Sequence, residues 1–150
     1  MNTQDGIALK GKLTISLNNE IVRETDNLIV TAGKAWVASR MEGVVDGVMT
    51  HMAIGTGTVD PVIGDTTLGT EAARVALTDS GGIVAGAVIT FAATYPADTP
   101  DVTAPATAAI TEAGIFNHAT TGTMLARTEF TAVNKGELDT MTISWAVTIS

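Results

Sequence analysis

The chain has 150 residues, no cysteine and a formal net charge of −8 at pH 7. This length predicts one domain whose core is stable without disulfides. The lack of cysteine excludes a disulfide framework, a thiolate metal site and a cysteine nucleophile. The eight Lys and Arg residues are scattered along the sequence rather than gathered in a stripe, so binding to nucleic acid is not expected.

Charged residues make up 16% of the sequence, against about 25% in ordinary globular domains. The surface must therefore be built largely from Ala, Thr and Gly, which favours burial against neighbouring molecules. A solvated, Thr-rich strand face is the alternative explanation. The first residues lack the pattern of a signal peptide, and no apolar run is long enough to span a membrane. We therefore expect an oligomer or lattice component with no membrane partner.

Alternating apolar and polar residues predict strands along most of the chain, beginning with a hairpin over residues 9–24. Asn18 and Asn19 are expected to form its turn, because asparagine tolerates left-handed backbone angles. The segment that precedes the hairpin, residues 1–9, is expected to be a flexible N-terminal arm. Residues 27–30 continue the extended structure.

One short helix is predicted over residues 31–41. Thr31 is placed as its N-cap, Trp36 and Val37 fall at helical spacing, and Gly43 follows as a stop signal. A helix of this length is marginal in isolation. Trp36 is therefore expected to anchor it on a sheet.

Further strands are predicted after the helix, separated by Gly-, Pro-, Asp- and Thr-rich connections. The C-terminal strand is the clearest, because Ile143, Trp145, Val147 and Ile149 alternate with small residues. Two long connections are expected to be exposed loops. The predicted strands are 83–93, 108–116, 124–131 and 142–150, and the predicted loops are 59–70 and 96–105.

Together these elements predict an all-β fold, with residues 1–150 forming a single antiparallel β-sandwich or jelly-roll-like domain with one short helix. The sequence shows no linker, internal repeat or coiled-coil heptad that would divide it. Periodicity does not determine strand order, so the choice between a jelly roll and another sandwich stays open.

A search for reactive patterns assigns no catalytic, cofactor-binding or metal-binding residue. His51 and His118 have no partner groups readable beside them, so we interpret His51 as a packed or interfacial strand residue and His118 as a solvated turn residue. The segment Gly55-Thr56-Gly57 lacks the third glycine of a dinucleotide fingerprint and the Gly-Lys-Ser/Thr of a phosphate-binding loop. The sequence therefore predicts a protein that is not an enzyme and needs no cofactor.

Some carboxylates are candidates for a cation site or for a general acid. Asp60, Asp65 and Glu71 lie close together in sequence, but their spacing departs from an EF-hand, so a surface Ca²⁺ has no further support.

Glu112 has no readable partner for acid–base catalysis. We predict instead that it pairs with Arg74 or Arg127, or hydrogen-bonds a neighbouring turn.

Four segments form an ordered set within residues 12–149. They are NLIVTAGK at 27–34, MAIGTG at 52–57, DTTLGTE at 65–71 followed by Arg74, and ITEAGIF at 110–116. This set resembles a recurrent pattern in small virion proteins of bacteriophages. The last segment also resembles a motif of phage tail-fibre and collar-fibre domains.

These segments suggest scaffold roles. Gly55 and Gly57 are expected to allow tight backbone at a strand end, and Gly114 to mark a bulge or a close backbone approach. Ile115 and Phe116 are expected to alternate across a sheet, with one side in the core.

The resemblance implies one of two functions. The first is a capsid cement (decoration) protein: a homotrimer on the capsid surface of the virion, assembled in the host cytoplasm, that binds the major capsid protein across capsomer junctions and stabilises the head. The second is a structural component of the tail fibre, collar or baseplate, which anchors a fibre or contacts the host. We favour cement, because the chain shows no extended shaft and its low charge suits broad lateral contacts. A glycan-binding module is a distant third reading, since aromatic residues make up only 4%. Contact residues are not assigned.

Overall fold

The computed structural model describes residues 6–43, 47–101 and 107–150. Within these residues, two five-stranded antiparallel sheets face each other and one helix packs beside them. The predicted all-β sandwich with a single short helix is confirmed. The strands are β1 (Leu9–Leu17), β2 (Glu20–Asp26), β3 (Leu28–Ile29), β4 (His51–Gly55), β5 (Glu71–Ala76), β6 (Ile83–Ala85), β7 (Val88–Tyr95), β8 (Thr107–Phe116), β9 (Met124–Gly136) and β10 (Met141–Ile149), and the helix is α1 (Thr31–Glu42).

The first sheet, called sheet A, has the strand order β2-β1-β10-β7-β6. Its inner side carries the large apolar side chains, because alternate residues of a strand point to the same side. Leu13, Phe91 and Trp145 are neighbours on this side and are buried. Its outer side carries small residues such as Ser144 and Thr90, which solvent reaches. One-sided burial explains why the alternation in these strands is clear in the sequence.

The first hairpin and the C-terminal strand form as predicted. Asn18 and Asn19 have φ angles of 50° and 70°, as the two-residue hairpin turn with both central residues left-handed requires. Strand β10 lies between β1 and β7, so the end of the chain is held in the sheet. Ala8 exchanges two backbone hydrogen bonds with Ser150. The predicted flexible arm over residues 1–9 is therefore wrong at its end, and its first five residues lie outside the described part of the chain.

The second sheet, called sheet B, has the order β3-β9-β8-β4-β5. Ile115 and Phe116 alternate across β8 as expected, but both are buried. Ile115 belongs to the core between the sheets, and Phe116 belongs to a smaller cluster on the outer side of sheet B. The outer side is covered because Leu68 and Val30 pack on it.

Helix α1 matches the predicted range closely. It begins at Thr31 and ends at Glu42, and Gly43 terminates it with a left-handed φ of 82°. The N-cap is Val30, with no side-chain cap hydrogen bond. The prediction that Thr31 is the N-cap is therefore wrong, since Thr31 already has a helical position.

The helix is anchored by a glycine as well as by a tryptophan. A Cβ atom on Gly33 would lie 2.1 Å from the carbonyl oxygen of Leu125 in β9, so only glycine allows this approach. Trp36 packs against the main core, as predicted, and its indole N–H donates to the carbonyl oxygen of Gly47 at 2.9 Å.

Two strand assignments differ from the sequence prediction. The single strand predicted over 83–93 is a hairpin of β6 and β7, because Gly86 takes a φ of 62° in the turn between them. Strand β5 has no predicted counterpart, because EAARVA contains mostly residues that are poor strand formers. The strands predicted at 108–116 and 142–150 are confirmed to within two residues, and the strand predicted at 124–131 continues to Gly136.

Candidate functional site: a clamped loop on sheet B

Residues 56–70, here called the clamped loop, connect β4 to β5 and lie across the outer side of sheet B. Strands β4 and β5 are antiparallel neighbours, which a two-residue turn can join. The connection instead uses fifteen residues without a helix or strand. Long connections of this kind in compact domains are usually functional or disordered. This loop is ordered, because Glu112 and Arg127 of sheet B hydrogen-bond to it at several positions.

Glu112 of β8 holds both ends of the clamped loop. Its side chain is fully buried, and its carboxylate accepts three backbone N–H hydrogen bonds. Gly57 donates at 3.0 Å from the beginning of the loop, while Gly69 and Thr70 donate at 2.8 and 2.7 Å from its end. One carboxylate therefore closes the loop at its base.

Glycines provide the space for this carboxylate. A Cβ atom on Gly55 or on Gly57 would lie 2.5 Å from Oε1 of Glu112, closer than nonbonded atoms approach. The sequence predicts tight backbone at these two glycines, and the structure shows that the Glu112 carboxylate occupies the space a side chain would need.

Gly114 pairs in register with β9, so the predicted bulge is not at this residue. A Cβ on Gly114 would instead lie 3.0 Å from the side chain of Leu68.

Arg127 of β9 connects the sheet to the middle of the clamped loop, and its side chain is only 3% exposed. Nη2 lies 2.9 Å from Oε2 of Glu112 and donates to the carbonyl oxygen of Val59 at 2.9 Å. Nη1 donates to Oδ2 of Asp65 at 2.6 Å. The same oxygen of Asp65 accepts the backbone N–H of Val62 at 2.9 Å. Glu112, Arg127 and Asp65 form one connected network, called the clamp.

The clamp is ionised at neutral pH. Burial by itself raises the pKa of Glu112, but the hydrogen bonds from the loop backbone and from Arg127 outweigh it, so the pKa falls below its usual 4.5. Burial likewise raises the pKa of Asp65, and the hydrogen bonds from Val62 and Arg127 lower it below 3.8. Burial by itself lowers the pKa of Arg127, but its two carboxylate partners outweigh burial and raise the pKa above its usual value.

The clamp presents an apolar tip to solvent. Val59, Val62 and Ile63 are 69%, 58% and 59% exposed. Their backbone positions are fixed, since Arg127 holds the carbonyl of Val59, a clamp carboxylate holds the N–H of Val62, and the N–H of Thr31 donates to the carbonyl of Ile63 at 2.7 Å. Exposed aliphatic side chains on rigid backbone are a preorganised surface for binding another macromolecule.

Arg74 of β5 holds a second loop, residues 117–123. Its guanidinium lies 3.8 Å from the ring centroid of Phe116 and pairs with both carboxylate oxygens of Glu71, at 2.9 and 2.8 Å. Nη1 donates to three carbonyl oxygens of the loop at 2.8 to 3.0 Å. This arginine therefore orders the loop beside the clamp.

The predicted structural role of Glu112 is confirmed in detail. It pairs with Arg127, and the alternative pairing with Arg74 is wrong. It also hydrogen-bonds neighbouring turns, as the third alternative proposed. Arg127 is one of the two arginines that the sequence offers as a partner, and no feature of its strand singles it out, because the strand also contains Glu129 and Lys135.

The three carboxylates considered as a cation site do not converge. Asp65 faces Arg127, Glu71 faces Arg74, and Asp60 stands exposed at the tip of the clamped loop. Within the described ranges, no group of three or more His, Asp or Glu side chains is arranged to hold a metal ion.

The two histidines lie in the positions expected from the sequence. His51 is a partly buried strand residue whose Nδ1 lies 2.8 Å from the hydroxyl of Thr50. Burial lowers the pKa of His51, and the charges of Arg74 and His118 lower it further. His118 lies in an exposed turn, where its Nδ1 accepts the N–H of Thr120 at 3.2 Å. Both histidines therefore have local structural partners.

An apolar cleft of about 310 Å³ lies beside α1. Trp36 and Val37 of the helix form one side, and Val84 and Ile149 of sheet A contribute to the other. Among the described residues that line it, Arg40 is the one that carries a charge. This cleft is not predictable from the sequence, because its walls come from distant segments and periodicity does not reveal how such segments pack together.

In the described part of the chain, no helix has the length and the apolar character needed to cross a membrane. Comparison of the chain with models of protein families, with curated proteins and with solved structures gives no match. The chain is therefore assigned to no family here, and its resemblance to phage virion proteins remains a prediction from the sequence.

Proposed function

We propose that this protein is a non-enzymatic structural protein of a bacteriophage particle, a capsid cement protein that binds copies of itself and the major capsid protein. The observation that carries a binding function is the clamped loop, in which a buried ionic network holds three exposed aliphatic side chains. A buried ion pair is a weak source of net stability. Rigid presentation of an apolar surface, in contrast, reduces the entropy lost on binding.

The clamp itself serves structure rather than chemistry. The carboxylate of Glu112 accepts four hydrogen bonds from the protein, three from backbone N–H groups and one from Arg127. Its oxygens are therefore occupied by the fold and are not directed at a substrate.

The location on the capsid rests on the resemblance of the four ordered segments. Three of these segments supply the clamp region: 52–57 and 65–71 are the two ends of the loop, and 110–116 contains Glu112. In the cement role, the protein binds as a homotrimer across capsomer junctions on the virion surface, after assembly in the host cytoplasm. Binding of this kind stabilises the assembled shell over dissociated subunits by mass action.

A tail-fibre, collar or baseplate component is the second candidate. The observation that favours it is the segment at 110–116, which also resembles fibre domains and which supplies the carboxylate that holds the loop.

Copy number separates the two candidates. We expect quantitative electrophoresis of purified virions to give a copy number comparable to that of the major capsid protein. A far smaller number would overturn the cement role and assign the protein to the tail.

Rebinding to stripped virions tests the clamped loop directly. We expect the Val62→Asp variant not to bind stripped virions, because the change puts a charge in the apolar tip. Stripped virions mixed with this variant should therefore not regain the heat resistance that the wild-type protein restores. The control is Leu138→Asp, at a position that is 84% exposed and outside the loop. Equal binding by both variants would show that the tip does not contact the virion.

A further inference from the structure

We propose that a pocket beside the tip of the clamped loop binds a basic residue, lysine or arginine, of a partner protein through its cationic side chain and its backbone carbonyl. The pocket, here called the acidic pocket, has a volume of about 320 Å³. Its lining includes Asp26, Asp60, Arg127 and Glu129. This inference rests on the proposed binding function of the clamped loop and names the chemistry of the partner that the loop meets.

Two carboxylates of the acidic pocket come from the end of β2 and from the tip of the loop, and backbone contacts hold both beside β9. The hydroxyl of Thr128 in β9 donates to the backbone carbonyl of Asp26 at 2.7 Å. Asp60 directly follows Val59, whose carbonyl oxygen accepts a hydrogen bond from Arg127 at 2.9 Å. The places of Asp26 and Asp60 are therefore set by the backbone, and their carboxylates are not needed to hold them there.

The third carboxylate belongs to β9 itself. Glu129 lies opposite Glu112 of β8, and opposite residues of neighbouring strands have their side chains on the same side of the sheet. Glu129 therefore lies on the outer side of sheet B, together with the clamp. It is only partly buried, so solvent and ligands can reach it.

Negative charge accumulates at the acidic pocket. In the part of the chain that the structure describes, none of its three carboxylates has a hydrogen bond or an ion pair. Arg127 does not neutralise them, because its guanidinium already pairs with the carboxylates of Glu112 and Asp65. A cleft lined by one sign of charge raises the local concentration of ligands of the opposite sign. The pocket therefore favours a cation.

The size of the pocket indicates an organic cation. Its volume of about 320 Å³ is at the lower end of the range of ligand sites, roughly 300 to 1,000 Å³. The carboxylates stand around this space and do not gather at one point, which agrees with the finding that no three acidic or histidine side chains of the described ranges are arranged for a metal ion. A cationic group the size of a side chain can face several separate carboxylates at once.

A second, independent feature also points to a ligand. The Nε–H of Arg127 is buried and has no hydrogen-bond partner among the residues that the structure describes. The terminal nitrogens of this guanidinium are held by Asp65, Glu112 and the carbonyl of Val59, which leaves Nε as the donor for the pocket that Arg127 lines. A buried donor without an acceptor is unfavourable. A ligand that brings a neutral acceptor would satisfy it.

A basic residue of a polypeptide meets both requirements. A simple cation would leave the Nε–H without an acceptor, and an anion would be repelled by the three carboxylates. A lysine or arginine residue has a cationic side chain and a neutral carbonyl oxygen in one unit. The surroundings also suit a protein, because Pro61 of the pocket lining is followed by the exposed aliphatic side chains of Val62 and Ile63. Protein interfaces combine such apolar contacts with charged groups that fix orientation and partner choice.

An NMR titration of the full chain with three small probes separates the charge from the carbonyl. Lysine blocked at both ends has both groups, butylammonium has only the charge, and blocked norleucine has only the carbonyl. We expect blocked lysine to shift the Nε–H signal of Arg127 and to bind about fivefold more tightly than butylammonium, the effect of one hydrogen bond. Blocked norleucine should not bind. Equal binding of blocked lysine and blocked norleucine, or an Nε–H signal that does not move, would overturn the proposal.

Two variants test whether the probe binds in the acidic pocket. We expect Asp60→Asn and Glu129→Gln each to weaken binding of blocked lysine about threefold, and the double variant about tenfold. The matched control is Glu20→Gln, which removes the same charge at the other end of β2, about 20 Å from Asp26 along the strand. Equal weakening by the control would show that only net charge matters and would overturn the pocket.

Rebinding to stripped virions tests whether the basic residue belongs to a virion protein. We expect the double variant to rebind about tenfold more weakly than the wild type, and Glu20→Gln to rebind normally. Normal rebinding by the double variant would overturn the inference. The probe titration needs no virion, so the two proposals fail separately. A protein that binds blocked lysine in the pocket but does not rebind to virions would support the pocket and overturn the proposed function.

Discussion

Sheet A and sheet B each have five strands in the described residues. They differ in the exposure of the ion pairs on their outer sides. On sheet A, Lys12 and Glu24 lie 3.7 Å apart with side chains 60% and 52% exposed. On sheet B, Arg127 and Glu112 lie 2.9 Å apart with side chains 3% and 0% exposed. The clamped loop makes the difference, because it covers the pair on sheet B, whereas the pair on sheet A is open to solvent.

The comparison shows that burial, rather than proximity, decides what an ion pair does. An exposed pair gains little, because water screens it and two long side chains lose entropy. A buried pair offers little net stability over an apolar pair, but removal of one partner leaves a charge without compensation. Sheet B therefore depends on its charges and sheet A does not.

The largest expected effect comes from Glu112→Gln. We expect it to lower the free energy of unfolding by about 3 to 5 kcal/mol, because Arg127 stays buried without its inner partner. Urea denaturation measures the loss. The control is Glu24→Gln on sheet A, for which we expect a change within about 0.5 kcal/mol. Similar losses in both variants would mean that the clamp has no special role in stability.

Acid should remove the stabilisation that both clamp carboxylates provide, because each must bind a proton at low pH. The pKa values of Glu112 and Asp65 lie below their usual 4.5 and 3.8 in the folded state, so their stabilisation is present above those values. It is lost as pH falls through the lower, folded-state values, because the unfolded chain then binds more protons. Urea denaturation over a pH series should show this fall. In Glu112→Gln the fall should be smaller, since only Asp65 still titrates in the clamp.

Gly57→Ala should have an intermediate effect, a loss of about 2 kcal/mol in the free energy of unfolding. The new Cβ would lie 2.5 Å from the Glu112 carboxylate, so the loop or the carboxylate must move. The matched control is Gly64→Ala in the same loop, where a Cβ meets nothing within 4 Å. Thermal unfolding of the two variants in parallel measures the difference, and equal midpoints would contradict the close packing of glycine on carboxylate.

The smallest effect is expected from Arg74→Lys, a loss of about 1 to 2 kcal/mol by urea denaturation. Lysine keeps the charge, but it cannot stack a planar group on Phe116 while pairing with both oxygens of Glu71. Lys12→Arg on sheet A is the control and should be nearly neutral. A neutral Arg74→Lys would show that charge alone holds the loop at 117–123.

Sheet A was the more predictable half of the fold, because only one of its sides is buried. Ile143, Trp145 and Val147 alternate with small residues, and the period of two is visible in the sequence alone. In sheet B the alternation disappears where both sides are covered, as at Ile115 and Phe116. Strand β5 is not predicted for a different reason: four of its six residues are alanine or glutamate, which are poor strand formers.

The clamp was only partly predictable. Glu112 was recognised as a structural residue, but the choice between Arg74 and Arg127 depends on strand order and register, which periodicity does not reveal. The structure places Arg127 on β9, the direct neighbour of β8, whereas Arg74 lies beyond β4 on the edge strand. The hydrogen bonds to the loop ends could not be predicted at all, because they require the loop's path.

The way in which the tip is held also bears on how this molecule can diversify. The clamp and α1 bond the carbonyl of Val59, the N–H of Val62 and the carbonyl of Ile63, all of them backbone groups that most residues would supply equally well. Recognition and folding are therefore carried by different atoms of the same residues. Natural or laboratory selection can therefore change the side chains of the tip to suit a new binding partner, while the backbone hydrogen bonds that hold the tip stay the same.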